Sequence, residues 1–367
     1  MRDTPYTSCS DPSHMTRPLT APQYEAPGDL YGLPGTAGPQ PGRVLVTGAT
    51  GFAGSAMLRS LVGGGYRVRA LVRDRSHARA LELAGVEVAV GNMKDSASLT
   101  RALRDVSVVY HFASIFRQAG LPDEEFRSVN VEGPSRLIIA ASGAGVGRVV
   151  HISTVGVHGD IEHPPASETS PVGPGDIYQR TKLEGEQQAL CTAARLDVPL
   201  TVVRPAPMYG PRDRRLLKMF KGIARRRFPI LGKGDALFSM VHIDDLVEGV
   251  RIAGESPAAI GRTYIIGSDE FMSLNALVAL IAEEAGVKPM RMHLPVWPLW
   301  MAGALCEAVC EPLKLEPPIY RRRVAFFTKS RAFDITRART ELGYEPRISL
   351  REGVRSTLAW YRAAGWI

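Results

Sequence analysis

The chain has 367 residues, of which 45% are apolar and 22% charged, as in an ordinary globular protein. This composition excludes a mainly disordered chain and a collagen-like chain, and four scattered cysteines are too few for a small disulfide scaffold. The 45 Lys and Arg exceed the 37 Asp and Glu by eight, a positive charge that suits an anionic ligand, an anionic membrane surface or nucleic acid.

Residues 1–42 are rich in proline and glycine without apolar periodicity, which predicts a flexible extension. The longest uncharged apolar stretch, 294–306, is too short for a membrane-spanning helix and contains two prolines. We therefore expect a cytoplasmic protein. Cys306 and Cys310 have no further Cys or His pair nearby, so we expect reduced core residues and no metal site.

From residue 43 onward, short β-branched runs alternate with helical segments, including one long helix between the fourth and fifth strands. Apolar strands joined by helical crossovers form a parallel sheet with helices on both faces. We therefore predict an α/β fold: a Rossmann doubly wound sheet over 43–206, a returning strand at 263–266, and a smaller C-terminal substrate-binding lobe from 207–262 and 267–367. Strands of the sheet are predicted at 43–47, 67–72, 86–90, 106–112, 149–153 and 200–204.

A glycine-rich loop lies between the first predicted strand and the first predicted helix. Gly48, Gly51 and Gly54 recur at every third position, where glycine lets the backbone turn tightly and approach a pyrophosphate at the helix N-terminus. A simple turn would explain one or two of these glycines, but not their spacing. The loop therefore predicts a dinucleotide site, to which Thr50 and Phe52 also belong.

The second strand ends in Arg73-Asp74-Arg75, where a residue is expected to contact the adenosine ribose. An acid there would accept hydrogen bonds from the 2′-hydroxyl of NAD, whereas Arg73 and Arg75 would bind a 2′-phosphate. The sequence therefore favours NADP(H) over NAD(H), with Asp74 on the ribose as the alternative. After the third strand, Asn92 and Met93 are expected beside the adenine.

Tyr178 and Lys182 are four residues apart, which places their Cβ atoms about 5–6 Å apart on one helix face. A free tyrosine titrates near pH 10, and a neighbouring ammonium favours its phenolate, so Tyr178 could exchange a proton with a substrate oxygen. Such pairs are common on protein surfaces, but downstream of a dinucleotide loop this one is a candidate acid–base. Ser153 or Thr154, at the end of the fifth strand, could donate a hydrogen bond to the same oxygen.

These motifs resemble the extended short-chain dehydrogenase/reductase superfamily, also called the NAD-dependent epimerase/dehydratase family. The resemblance spans residues 43–363 and rests on TGATGFAG, HFAS, NVEG, HISTVGVHG, YQRTK, VVRPAPMYGP and VHIDDLV. It implies a homodimer that binds NAD(P), with Thr154 rather than Ser153 as the catalytic hydroxyl and Asn130 in the water-binding support of Lys182. The cofactor contacts that it implies further include Phe112, Ala113, Ser114, Pro205 and Met208.

Phe238 precedes the VHIDD motif, where nucleotide-sugar enzymes of this family usually carry an arginine that reaches the substrate diphosphate. An apolar ring cannot pair with a diphosphate but can line a hydrophobic pocket. The segment GKGDALFSMVHIDD resembles the 3β-hydroxysteroid dehydrogenase and dihydroflavonol reductase branch. We therefore expect an enzyme that interconverts a secondary alcohol and a ketone on a lipophilic small molecule, with Ser153, Val155 and Phe238 at the substrate. The alternatives are a nucleotide-sugar epimerase or dehydratase with tightly held NAD, and a non-catalytic dinucleotide-sensing module.

Two segments permit several interpretations. The apolar stretch 294–313 could be a buried helix, a peripheral membrane contact through its tryptophans, or a lid over a lipophilic substrate. The eight basic residues between 212 and 227 could face a nucleotide diphosphate, solvent or anionic lipid. No aromatic platform or recognition motif accompanies them, so nucleic-acid binding is not expected.

Overall fold

A computed structural model describes residues 42–116, 118, 120–290, 292–310 and 326–367. The predicted extension thus lies outside the described residues, apart from residue 42. The strands of the described chain are β1 (Arg43–Thr47), β2 (Val68–Val72), β3 (Glu87–Val90), β4 (Val106–His111), β5 (Arg148–Ile152), β6 (Leu200–Pro205), β7 (Met208–Tyr209), β8 (Ile230–Leu231), β9 (Leu237–Ser239), β10 (Val241–His242), β11 (Thr263–Ile266), β12 (Phe271–Ser273) and β13 (His293–Leu294).

Seven of these strands form one sheet in the order β11-β6-β5-β4-β1-β2-β3, and every neighbouring pair is parallel. The predicted Rossmann fold is confirmed, including the strand that returns at 263–266. The helices are α1 (Phe52–Gly63), α2 (Ala78–Leu83), α3 (Ser96–Ala102), α4 (Asp123–Asn130), α5 (Glu132–Gly143), α6 (Ile177–Arg195), α7 (Leu217–Ala224), α8 (Ile243–Glu255), α9 (Leu274–Ala285), α10 (Val296–Cys310), α11 (Thr336–Leu342) and α12 (Leu350–Ala363).

The prediction of one long helix between β4 and β5 is wrong, because two helices, α4 and α5, occupy this crossover. Pro134 lies in the first turn of α5, and proline has no N–H to donate to the carbonyl of Asn130, four residues earlier. A continuous helix would lose that hydrogen bond, so the chain begins a new helix after Val131, whose φ is −103° and ψ −61°.

Each face of the sheet has its own apolar core, since alternate residues of a strand point to opposite faces. Val44 and Val46 of β1 pack with α1 and α8, whereas Leu45 packs with α3, α5 and α6. At the carboxyl end of the strands, Thr47, His111 and His151 lie side by side on the α6 face. The carboxyl edge of the sheet therefore brings these three polar side chains together.

A third apolar cluster forms a second lobe from α7, α9, α12 and the short strands β8, β9 and β12. Strand β9 pairs with β12, and β8 pairs with β13, which leads into α10. The interpretation of 294–313 as a buried helix is wrong for its described part, because Trp297 in α10 is 71% exposed. Cys306 and Cys310 are free, as predicted, but they are half-buried on this helix rather than in a core. None of the described helices has the length and apolar composition that crossing a bilayer requires.

Helix α6 lies unusually close to α4, and Gly185 makes this possible. A Cβ atom built on Gly185 would lie 1.9 Å from the carbonyl oxygen of Asn130. We expect Gly185→Ala to lower the free energy of unfolding by about 2–3 kcal/mol, because the two helices would have to separate. Denaturant unfolding measures this change.

The matched control is Gly63→Ala, at the end of α1, where an added Cβ meets nothing within 4 Å. This variant should change the stability by less than about 1 kcal/mol, in the stabilising direction. Equal losses in the two variants would contradict the steric explanation.

Candidate functional site

The loop between β1 and α1 has the shape that a pyrophosphate requires. Gly48 has a φ of +69°, and a Cβ there would lie 2.7 Å from the backbone nitrogen of Ala113. A Cβ on Gly54 would lie 2.2 Å from the carbonyl oxygen of Gly48. The N-cap of α1 is Gly51, which has no side chain to cover the helix N-terminus. The backbone amides of the first turn therefore have no side-chain cap and can donate to an anion.

Thr50 and Phe52 complete this loop. Thr50 is exposed and Phe52 half-buried. The guanidinium of Arg215 lies 4.6 Å above the centre of the Phe52 ring, and its Nε lies 2.8 Å from Oδ1 of Asp213. The same guanidinium donates to the carbonyl oxygen of Met208 (3.0 Å). The first residues of the basic run 212–227 thus lie beside the phosphate loop.

At the end of β2, Arg73 and Arg75 are exposed. Asp74 caps the short 3₁₀ helix Arg75–His77, and its Oδ1 accepts a hydrogen bond from the backbone nitrogen of Ser76 (2.8 Å). The one carboxylate at the ribose position is therefore already used in a local turn. This arrangement leaves two cations at the place where the adenosine ribose is expected.

The residues predicted near the adenine differ in exposure. Asn92 is exposed, and its Oδ1 accepts from the backbone nitrogen of Lys94 (2.8 Å), which fixes the turn after β3. Met93 is only 5% exposed and packs in the core on the α5 side. Asn92 is therefore the more accessible of the two. Of the segment after β4, Phe112 and Ala113 are half-buried and Ser114 is exposed.

The fold brings Thr154, Tyr178 and Lys182 to the carboxyl edge of β5. Lys182 donates from Nζ to the carbonyl oxygen of Ile152, at the end of β5 (2.6 Å). Thr154 begins the short 3₁₀ helix Val155–His158, and a Cβ on Gly156 would lie 3.2 Å from Thr154 Oγ1 and 3.3 Å from Cγ of Gln179. The first turn of α6, which carries Tyr178, is thus packed against the turn that carries Thr154.

The hydroxyl of Thr154 accepts a hydrogen bond from the backbone nitrogen of Gly156 (3.0 Å). Because this bond uses an acceptor position, the hydroxyl proton is available for donation to another oxygen. The Tyr178 ring is 9% exposed and meets the ring of Phe116 edge-on, with centroids 4.9 Å apart. Burial lowers the pKa of the Lys182 ammonium to about 8, and the nearby Glu186 carboxylate partly opposes this shift.

Below the site lies a buried ion pair that the sequence analysis missed. Glu186 binds Arg204 twice, with Arg204 Nη2 2.5 Å from Oε1 and Nε 3.1 Å from Oε2. Ser153 donates from Oγ to Oε2 of Glu186 (2.6 Å). The prediction that Ser153 faces the substrate is therefore wrong, because its hydroxyl points into this pair. The available signal was an arginine at the end of the apolar strand β6.

Two buried histidines lie beside each other on the sheet. His111 Nδ1 is 2.7 Å from Thr47 Oγ1, and the ring centroids of His111 and His151 are 5.1 Å apart. Burial, followed by the charge of Lys182, lowers the pKa of His111 to about 3 and that of His151 well below its usual value. Both imidazoles are therefore neutral and add no charge beneath Lys182.

Asn130 is buried at the end of α4, and its side chain holds the segment that follows β4. Its Oδ1 accepts from the backbone nitrogen of Ile115 (2.8 Å), and its Nδ2 donates to the Ile115 oxygen (3.0 Å) and to Thr181 Oγ1 (3.1 Å). The described contacts of this side chain are with Ile115 and Thr181. Asn130 thus holds both Ile115, in the segment after β4, and Thr181, on α6.

The residues predicted around the substrate and nicotinamide are more buried than expected. Phe238 is 3% exposed in the core of the second lobe. The centroid of its ring lies 5.2 Å from that of the Phe326 ring and 5.6 Å from the guanidinium carbon of Arg331. It therefore does not line an open pocket, because the pairing of β9 with β12 turns it into the lobe. Val155 and Pro205 are also buried, and Met208 is half-buried.

Comparison with known proteins places the chain in a family. The model of the NAD dependent epimerase/dehydratase family matches residues 44–267, and the chain belongs to this family. The crystal structure of DesIV, a dTDP-glucose 4,6-dehydratase from Streptomyces venezuelae with NAD bound, matches at a TM-score of 0.72 and 25% identity over 88% of this chain and 98% of that chain. The chain is thus an NAD-binding enzyme, an oxidoreductase or an epimerase/dehydratase.

Two curated relatives have more specific names. Sterol demethylase protein B from Methylococcus capsulatus is 32% identical over 88% of this chain and 99% of that protein. The 4-hydroxy-2-methyl-3-oxo-4-farnesyl-3,4-dihydroquinoline-1-oxide ketoreductase of Stigmatella aurantiaca is 29% identical over 85% of this chain and 94% of that protein. These likenesses extend well beyond the glycine loop and include the second lobe.

We expect Glu186→Gln to destabilise the protein strongly. Without the carboxylate, the buried guanidinium of Arg204 loses its counter-ion, which costs about 3–5 kcal/mol. The control is Glu184→Gln, two residues away on α6, where Glu184 pairs with Arg127 at the surface. That variant should lose less than about 1 kcal/mol. The free energies of unfolding at pH 7 test both statements, and losses of similar size would contradict the role of the buried pair.

Proposed function

We propose that the protein is an NADP(H)-dependent oxidoreductase that interconverts a secondary alcohol and a ketone on a lipophilic small molecule. The observation that carries the proposal is the convergence of Thr154, Tyr178 and Lys182 at the carboxyl end of β5, the edge at which doubly wound sheets bind ligands. A hydroxyl donor, a phenol and a buried ammonium are the groups needed to move a proton to or from a carbonyl oxygen. A module that only senses a dinucleotide has no need of this set.

When bound, the nicotinamide cofactor supplies or accepts the hydride. The side chains of the protein bind the substrate oxygen and transfer the proton. Thr154 donates a hydrogen bond to the substrate oxygen, and Tyr178 gives up or takes the proton at its phenol oxygen. Lys182, charged below about pH 8, stabilises the phenolate that forms. The Glu186–Arg204 pair below holds α6 in place, so that these groups keep their separation.

The preference for NADP(H) rests on the end of β2. Arg73 and Arg75 are exposed there, while the carboxylate of Asp74 caps a turn. Two guanidiniums suit a 2′-phosphate, because they bind its oxygens through charge-assisted hydrogen bonds.

The lipophilic substrate class rests on two supports. The segment GKGDALFSMVHIDD resembles the 3β-hydroxysteroid dehydrogenase and dihydroflavonol reductase branch of the family. The names of the two curated relatives refer to a sterol and to a farnesylated quinoline, both of which are lipophilic. We propose a cytoplasmic location for the enzyme. We also propose that it acts as a homodimer.

The reaction is tested with NADPH and a panel of steroid, sterol and long-chain ketones. The wild-type protein should oxidise NADPH in proportion to the ketone that it reduces. Tyr178→Phe should lower kcat by at least about a hundredfold while leaving the affinity for NADPH within about twofold, since the phenol carries the proton. Tyr66→Phe is the matched control: it removes a hydroxyl that donates a hydrogen bond to Glu255, and the variant should remain active.

A fully active Tyr178→Phe variant would contradict the assignment of the proton donor. Turnover of a nucleotide sugar without net consumption of cofactor would replace the proposed reaction with epimerisation or dehydration.

The cofactor preference is tested by titrating the protein with NADPH and NADH. We expect NADPH to bind more tightly, and Arg73→Ser with Arg75→Ser to weaken NADPH binding by about tenfold to a hundredfold through the loss of charge-assisted bonds. NADH binding should be almost unchanged. Arg79→Ser, an exposed arginine on α2, is the control. Binding of NADH as tight as that of NADPH to the wild-type protein would show that the interpretation of Arg73 is wrong.

A further inference from the structure

Helix α10 is apolar on the side that faces solvent. Trp297 is 71% exposed, Met301 56% and Leu305 68%. Their four-residue spacing places them on one side of the helix. From 294 to 306 the sequence contains no charged residue. A surface helix normally turns a polar face to water, whereas α10 turns apolar side chains to water.

The exposed apolar residues of α10 are grouped on one helix rather than scattered singly over the surface. Pro298, Trp300 and Ala308 of α10 are also exposed, and Ala308 lies on the same side as Trp297, Met301 and Leu305. Single exposed apolar residues, such as Leu83 on α2 at 82%, are ordinary on protein surfaces. A contiguous apolar face marks a contact with a membrane or another protein. We call the exposed side of α10 the α10 face.

Positive charge lies next to the α10 face. Strands β8 and β13 pair in parallel, with Ile230 N donating to the Met292 oxygen (3.0 Å) and Gly232 N to the Leu294 oxygen (2.9 Å). The exposed arginines 225–227 precede β8, and Lys233 follows it. A Cβ on Gly232 would lie 3.0 Å from the side chain of Val296, in the first turn of α10. The two-stranded ladder thus connects the cationic turn to the start of the helix.

The segment on either side of β8 carries charge of one dominant sign. Between 217 and 235 the sequence contains six Lys or Arg and a single acid, Asp235. Two copies of the chain joined through their α10 faces would bring these like charges together, which is unfavourable. A lid over a substrate would turn its apolar side chains toward the protein, whereas those of α10 point outward. An anionic lipid surface satisfies both features, since it offers an apolar boundary beneath phosphate groups.

We propose that the α10 face docks on an anionic lipid bilayer. The helix lies in the plane of the interface, with Trp297, Met301 and Leu305 inserted at the boundary between headgroups and acyl chains. Residues 225–227 and Lys233 lie at the level of the lipid phosphates. The α10 face includes none of Thr154, Tyr178 and Lys182, so the docking test does not depend on the proposed reaction.

Docking is tested by sedimenting the full chain with vesicles, in the absence of substrate. We expect binding to phosphatidylcholine vesicles that contain about one third phosphatidylglycerol, much weaker binding to phosphatidylcholine alone, and weakening by salt. Tryptophan emission should shift to the blue as Trp297 enters the interface. Trp297→Ser with Leu305→Ser should lower the partition coefficient at least tenfold, because each buried side chain contributes about 1.5–3 kcal/mol. Leu83→Ser is the matched control and should bind like the wild type.

The charge contribution is tested separately. Arg225→Glu with Arg226→Glu should weaken binding to the anionic vesicles about tenfold or more, since each basic residue near the surface contributes about 1 kcal/mol. Arg195→Glu, an exposed arginine at the end of α6, should have little effect.

Absence of binding by the wild-type chain, or equal binding by the serine variant, would overturn the proposal. So would a change from dimer to monomer in the serine variant without any vesicle binding by the wild type, which would assign the α10 face to a second copy. A wild-type chain that binds vesicles but reduces no ketone would contradict the proposed reaction and leave the docking surface standing.

Discussion

The position of α6 against the sheet and against α4 is the constraint on which the site depends. Over little more than one turn, Lys182 binds the end of β5, Gly185 allows contact with the backbone of Asn130, and Glu186 pairs with Arg204 of β6. Three different interactions, a hydrogen bond, a steric fit and a buried ion pair, fix the same stretch of helix. Because Tyr178 lies one turn before Lys182 on the same helix, these interactions also position Tyr178.

The buried charges at the carboxyl edge of the sheet are arranged so that Lys182 has a defined role. The carboxylate of Glu186 is already bound by Arg204 and by the hydroxyl of Ser153. His111 and His151 are held neutral by burial and by the nearby ammonium. Burial makes the ammonium costly, and for that reason a phenolate beside it is a favourable partner. The same desolvation that lowers the pKa of Lys182 therefore strengthens its effect on Tyr178.

The basic residues of the run 212–227 are close together in the sequence but lie in two different parts of the structure. Arg215 lies over Phe52 at the phosphate loop and links the second lobe to the dinucleotide site. The exposed arginines 225–227 lie at the other end of α7, next to the strands that lead into α10. The positive charge of this run is thus divided between the phosphate loop and the surface next to α10.

The sequence by itself determined the parallel sheet, the glycine loop and the Tyr178–Lys182 pair, because each follows from a local pattern: apolar strands, glycine spacing and helical periodicity. It did not determine which way a side chain points when distant segments compete for it. Ser153 turned toward Glu186, Phe238 turned into the second lobe, and Pro134 divided a predicted helix in two. Only the tertiary structure decided these points, and it also revealed the Glu186–Arg204 pair and the outward apolar face of α10. The physical reason is that burial and charge pairing depend on neighbours that are distant along the chain, which local patterns do not contain.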